Sequence, residues 1–339
     1  MAADPSRQPT LRSDAERERA RAERARRRAA PPANGLAPPT SPGRSRRTRG
    51  PGTRVAVAVA GLAVVAIGIV AALLALSSRS APHPKPLAAP AVEHLLIPEG
   101  ENRRQIAARA RAAGLTGSYL AASRRSPLLD PASYGAPPGT PDLEGFLFPA
   151  TYDVYRGSPA SEFVQRQLRA FQENFGPRAR TRARALHLTP YQLLIVASMV
   201  EREAVIPGDR AKIAAVVYNR LRLGMPLGID ATIYYAIEQR RGIATYSGEL
   251  SEADLHIDSP YNTRTHLGLP PTPISNPGLA SIEAAAHPAH VPYLYYVAGP
   301  DGCGEMVFSV GIAAFEKHVA AYQAAVAKNG GRPPVCKRK

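Results

Sequence analysis

Among the residues able to do acid–base chemistry, Glu201 has the most informative neighbourhood. It lies in PYQLLIVASMVEREA, residues 190–204, and the preceding Thr189-Pro190 supplies an N-cap and a first-turn proline, so a helix is predicted there. On that helix Leu193, Ala197, Val200 and Ala204 form one stripe, and Leu194, Ser198, Glu201 and Val205 form the stripe beside it. Glu201 therefore falls on the border of an apolar face, one turn beyond Ser198. Burial can hold a carboxyl neutral, and a neutral carboxyl is what a general acid must offer near neutral pH. Glu203 projects elsewhere, with Arg202 and Arg210 near enough in sequence to pair with it, and reads as structural.

Downstream of this helix the chain is dense in Tyr, Asn, Thr, Asp and Pro, first in LGIDATIYYA and then in SPYNTRTHLGLPPTPISNPG. Amides and hydroxyls suit the hydroxyls of a sugar ring, aromatics suit its apolar faces, and Pro270, Pro271, Pro273 and Pro277 fix the shape of the loop before anything binds. Asp230 is open to two readings, as a site residue or as an N-cap for a segment starting at Ala231. Other chemistries find less support. There is no S-x-x-K, and Pro288 interrupts the His287/His290 pair, so neither a transpeptidase nor a metal centre is expected. Cys303 and Cys336 lie outside any metal-ligand spacing, and their pairing cannot be deduced from sequence.

The elements that must position these residues follow a long N-terminal approach. Of the net +16, residues 1–54 carry +9 (14 Arg, no Lys, 5 acids) and the rest carries +7. That tail is rich in Arg, Ala, Pro and Gly with no apolar period, and reads as a disordered basic segment. It has no aromatics to stack on bases, so the basicity points to topology and anionic lipid rather than nucleic acid. Residues 55–76, VAVAVAGLAVVAIGIVAALLAL, are 22 uncharged residues, and a membrane-spanning helix needs roughly 20. Arg44, Arg46, Arg47, Arg49 and Arg54 precede them, which predicts a single-pass protein with a cytoplasmic N-terminus and all that follows outside. Residues 77–91 form a Pro-punctuated linker.

Beyond the linker, HLLIPEGENRRQIAARARAAGL reads as a strand, a turn at Pro98-Glu99-Gly100 and a helix burying Ile106, Ala110 and Ala113 before Gly114. LEGFLFPATYDVY suggests strand throughout. SPASEFVQRQLRAFQENFG and DRAKIAAVVYNRLRLG are predicted helices stopped by Gly176 and Gly224. ATIYYAIEQ fits helix or strand, PYLYYVAG reads as strand, and AAFEKHVAAYQAAVAK as a last helix. The expected class is α+β: an N-terminal membrane helix, a small module over 92–141, a mainly helical domain with short strands over 142–330, and a tail from 331 to 339.

The blocks IPEGENRRQIA, LEGFLFPATY, ASMVEREA, YNRLRLGMPLGIDATIYYA, SPYNTRTHLGLPPTPISNPGLASIEAAAHPA and PYLYYVAG resemble the YceG-like family of endolytic murein transglycosylases, in the family's order. The resemblance implies a LysM-like module over 92–141 ahead of the catalytic domain, and makes Glu201 the catalytic acid/base. It implies cleavage of the MurNAc–GlcNAc bond of nascent peptidoglycan with 1,6-anhydro ends, and no cofactor. It also implies partners among penicillin-binding and other wall-synthesis proteins. Ser198, Asn219, Asp230, Thr232, Tyr261, Asn262 and Thr263 fall in the matching blocks and are expected to line the site or bind substrate. The alternatives are a non-catalytic membrane-tethered glycan-binding scaffold, or a hydrolase using Asp230 or Asp258 as a second carboxylate. The pattern departs at Gly228, Ile229 and Ala231, where Gln, Ser or Thr, and Pro are expected, and at Met306 and Phe315, where relatives carry His.

Overall fold

The computed structural model describes residues 92–336. The predicted basic tail, membrane span and linker, residues 1–91, lie outside the described residues, as do 337–339. No helix among the described residues is long and apolar enough to cross a membrane. The described chain is α+β: mainly helical, with two separate two-stranded antiparallel sheets.

Strand β1 (Val92–Leu96) pairs with β2 (Thr151–Tyr155), with Val92 opposite Tyr155 and Leu96 opposite Thr151. Between them runs α1 (Arg103–Ala112), opened by an Asn102/Gln105 capping box and burying Ile106, Ala107 and Ala110. The short α2 (Tyr119–Ala122) follows. The strand expected over LEGFLFPATYDVY forms only at its second half. Leu143, Phe146 and Leu147 are buried without a strand partner. Gly145 has φ +87°, and a side chain there would fall 2.5 Å from Cγ of Pro273, so this stretch is shaped by close packing against the later proline loop.

Helix α3 (Ala160–Ala185) runs past its expected stop. The backbone does break at Gly176 (φ 50°, ψ −178°), but Pro177 restarts the helix. Phe171 stacks on Phe175, and Tyr134 and Phe146 meet this pair and each other edge-on or tilted, at centroid distances of 5.0–5.7 Å, the aromatic centre of a core that also takes in Ile97, Ile106, Leu194 and Ile213. Helix α4 (Pro190–Glu203) opens on the predicted Thr189-Pro190 pair, with a capping box closed by Gln192, and is buried from Leu193 to Val200 on every side. Glu201 comes immediately after that buried run.

Around α4 pack α5 (Arg210–Arg222), α6 (Asp230–Arg241) and α8 (Leu279–Ala286), with the single turn α7 (Glu252–Leu255) beyond α6. The segment ATIYYAIEQ is thus helical. Strands β3 (Tyr295–Ala298) and β4 (Met306–Ser309) form the second sheet, and α9 (Ile312–Lys328) lies on it. A disulfide joins Cys303 to Cys336, settling the pairing that sequence left open and tying the chain beyond α9 back to the β3–β4 turn.

A buried carboxyl holds the small N-terminal part against the helical part. Glu144 accepts from the backbone N–H of Arg103 and from Nδ2 of Asn276 at 2.7 Å, with the hydroxyl of Tyr235 at 3.3 Å. Burial first, then the charge of Asp142, pushes Glu144 up to about 8, against the pull of Arg103. Below its ordinary value of 4.5 the carboxyl is protonated folded or unfolded. From there to about 8 the unfolded chain releases the proton and the native state keeps it, so stability falls as pH rises through that window. Glu144→Gln mimics the protonated form and is expected to flatten this decline. Denaturation midpoints of wild type and variant between pH 5 and 8 check it; parallel curves would show an ionised carboxylate in the native state.

Candidate active site

Glu201 is in the last turn of α4 with its side chain only 6% exposed. Its Oε2 accepts the backbone N–H of Gly278 at 2.9 Å, and its Oε1 lies 3.9 Å from a guanidinium nitrogen of Arg210. Arg210 is itself held by Oγ of Ser281 at 3.2 Å. The Cγ of Glu201 packs beside Gly100, where an added Cβ would be 3.4 Å away. Three segments far apart in sequence therefore meet at this carboxyl: the Pro98-Glu99-Gly100 turn, the end of α4, and the Asn276-Pro277-Gly278 turn that opens α8.

The docking of those turns is specific. Gly100 N–H donates to the carbonyl of Asn276, and Asn276 N–H to that of Glu101, at 2.9 and 3.0 Å. Ser198 is fully buried one turn before Glu201; its hydroxyl donates to the Ile195 carbonyl and accepts from Ile274 N–H, while its carbonyl accepts from Oγ of Ser275. Ser198 thus fixes the loop that delivers Gly278.

The other expected substrate residues are mostly spent on the fold. Nδ2 of Asn219 donates to the carbonyls of Val291 and Tyr293. Thr232 and Thr263 are buried against each other at 3.0 Å, and Thr263 also accepts from Ile229 N–H. Asn262 donates to the carbonyls of Leu255 and Ile257 and accepts from Arg264 N–H. These side chains shape the loops, and in this conformation their polar atoms are already engaged. Tyr261 is half-buried with its hydroxyl 2.8 Å from that of Thr272, and Asp230 is exposed and paired with Arg264 at 2.6 Å. Asp230 opens α6 as its first residue, with no side-chain cap bond, so the cap reading is not the one adopted.

Glu203 pairs with neither arginine that sequence offered it. Its Oε2 accepts the hydroxyl of Tyr296 at 2.9 Å, and burial holds its carboxyl above the usual range against that bond. Arg202 instead donates to the Gly100 carbonyl, and Arg210 serves Glu201. At the two positions where the resemblance leads to an expectation of histidine, Phe315 stacks on Tyr295 at 5.2 Å, and Met306 contributes its backbone N–H to Asp209.

Sequence reasoning missed Glu99, Arg210 and Gly278. The first was read as part of a turn and the last as part of a loop, yet both lie in motif blocks that had been singled out. Gly278 has ordinary φ, and a Cβ there would sit 1.8 Å from Oε1 of Glu99, so any other residue would have to displace that side chain.

The fold and this carboxyl define an α+β domain in which Glu201, at the end of α4, is nearly buried beside the turn that opens α8. Residues 71–321 match the family model described as the YceG-like family, and the chain belongs to that family. It is 39% identical over 167 residues to a protein of Bacillus subtilis (strain 168) named endolytic murein transglycosylase, covering 49% of this chain and 44% of that one. A protein of the same name from Streptococcus pneumoniae (serotype 2, strain D39) is 38% identical over 156 residues, 46% of this chain and 28% of that one. The chain thus spans less than half the length of these relatives. A crystal structure of a YceG-like protein from Listeria monocytogenes superposes with a TM-score of 0.57 at 32% identity, covering 66% of this chain and 75% of that one.

Proposed function

We propose that this chain is a lytic transglycosylase that cuts the MurNAc–GlcNAc bond of nascent peptidoglycan strands and leaves 1,6-anhydro-MurNAc ends, ending strand elongation. The single observation that carries the reading is the nearly buried Glu201 carboxyl, positioned by Gly278 and Arg210 in a chain of the YceG-like family. In the reaction Glu201 gives its proton to the glycosidic oxygen as the bond to the muramyl anomeric carbon breaks. The muramyl C6 hydroxyl oxygen then attacks that carbon, and its proton returns to Glu201. No water is consumed. The nucleophile belongs to the substrate, so the second carboxylate of an ordinary glycosidase is not required, and no cofactor is needed.

The same proposal covers the setting. Residues 55–76 anchor the protein in the cell membrane with a cytoplasmic N-terminus, the basic tail touches anionic lipid, and residues 92–141 serve as a LysM-like module beside penicillin-binding and other wall-synthesis proteins. Support comes from the uncharged 22-residue stretch with its arginine flank, and from the Cys303–Cys336 disulfide, which suits an oxidising compartment.

Product analysis tests the reaction. Nascent glycan strands incubated with the protein should acquire anhydro-muramyl ends, read by mass. Reducing ends instead would mean a hydrolase, with Asp230 or Asp258 as the second carboxylate. Intact strands would leave a non-catalytic scaffold.

A further inference from the structure

The second sheet and the helix on it are thinly packed. Strands β3 and β4 have four residues each, and only Ser309 among them is fully buried. No residue of α9 is fully buried. A lone two-stranded sheet is marginal in water, and units with few buried contacts open before the rest of a domain. Yet this unit reaches the segment joining Glu201 to Arg210 at three points. The hydroxyl of Tyr296 donates to Glu203 at 2.9 Å. The β3–β4 turn lies on Val205 and Ile206, whose side-chain carbons would be 2.7 and 3.5 Å from a Cβ at Gly304. Met306 N–H donates to Oδ2 of Asp209 at 2.7 Å, and Asp209 is only 2% exposed.

The disulfide closes this same turn. Cys303 sits between Gly302 and Gly304, and its partner Cys336 holds the end of the described chain against them. A Cβ at Gly302 would be 2.1 Å from the Pro334 carbonyl oxygen, so turn and tail lie backbone to backbone. Arg210 follows Asp209 directly as the first residue of α5, with its Nε on Ser281 and a guanidinium nitrogen 3.9 Å from Glu201. Lys212 ties the same helical turn to the unit, pairing with Asp209 at 3.1 Å and lying 5.1 Å from the ring centre of Phe308 in β4.

We propose that Cys303 and Cys336 are positioning residues of the catalytic centre: their disulfide holds the β3–β4 turn on residues 203–209 and so fixes Arg210 against Glu201. This rests on the transglycosylase reading. In that reaction Glu201 becomes a carboxylate each time it gives its proton, and a guanidinium already in place stabilises that charge without rearranging. A disulfide restricts the open states of the segment it closes. Here it keeps a thinly packed unit from opening and carrying the Asp209 anchor away.

Reduction of the full chain with dithiothreitol tests this. The reagent gives two electrons and two protons to the two sulfurs, which become thiols as it closes to its own disulfide. The assay is run where thermal melts show the reduced chain folded. There kcat for anhydro-end formation should fall about tenfold with KM unchanged, part of the roughly 10²-fold that a misplacement of about 1 Å costs. Reoxidation should restore it. Cys303→Ser/Cys336→Ser should repeat the loss without reagent; neither cysteine belongs to the buried core. An unchanged kcat with a lower melting temperature marks a staple alone and overturns the proposal. Asp209→Ala already cuts the link, so reduction should then add less than about twofold; a second tenfold loss also overturns it. The Nε–H signal of Arg210 in labelled-arginine NMR, assigned by its loss in Arg210→Lys, gives a readout apart from activity and should shift on reduction. A shift in a chain that forms no anhydro ends keeps the positioning and removes the transglycosylase reading. A signal that stays in place overturns the positioning whatever the activity.

Discussion

Glu201→Gln is expected to lower the rate of anhydro-end formation by about 10³-fold or more, with the fold intact. A positioned general acid or base contributes roughly 10²- to 10⁴-fold, and here one group acts in both directions. The amide keeps the size of the carboxyl, and its oxygen can still accept the Gly278 N–H at 2.9 Å. What it loses is the acidic proton that a carboxyl can give and take back. Glu201→Asp keeps the proton but withdraws it by one methylene from Gly278 and Arg210, and should also fall steeply, since misplacement by about 1 Å costs on the order of 10²-fold. Single-turnover rates on defined glycan strands, with matching thermal melts, check both. Wild-type rates in the Gln variant would remove Glu201 from the chemistry.

The second large effect falls on stability. Asn276→Ala should cost about 3 kcal/mol or more, because each buried polar partner left unsatisfied costs roughly 1–3 kcal/mol. The Asn276 side chain accepts from Leu147 N–H at 2.9 Å and donates to the Glu101 carbonyl and to Glu144 at 2.9 and 2.7 Å. It is fully buried. Three segments lose a common anchor, and two of them carry the turns that meet at Glu201. In a domain of this size 1 kcal/mol moves the melting temperature by about 2–4 °C, so a drop of about 6–12 °C is expected by calorimetry. Activity should fall less at low temperature than near the new melting point, since the acid itself remains. A melting point within 2 °C of wild type would show that water or a rearranged loop replaces the amide.

Local signals served well where a rule acts over a few residues. Thr189-Pro190 with Gln192 marks the start of α4 because capping is satisfied within one turn, and Gly114 and Gly224 end their helices because both adopt positive φ. They served poorly where a distant partner decides. The first half of LEGFLFPATYDVY has the composition of a strand, but Gly145 must lie against Pro273, and Leu147 N–H is taken by Asn276. The arginine beside Glu203 was paired by nearness along the chain, whereas Tyr296 occupies that carboxyl and Arg210 turns to Glu201.

The same division runs through the candidate site. Helical period was enough to put Glu201 at the edge of an apolar stripe, and motif order was enough to indicate the family. Both are written in near neighbours or in residue types. That Ser198, Asn219, Thr232, Asn262 and Thr263 hold loops could not be read from type, because a hydroxyl or amide suits a backbone as well as a sugar. That Glu99 stands beside Glu201, 102 residues away, depends on turns docking through hydrogen bonds such as Gly100 to Asn276, across 176 residues. Contacts at such separations have no periodicity to betray them; they exist only once burial of a shared core has brought the segments together.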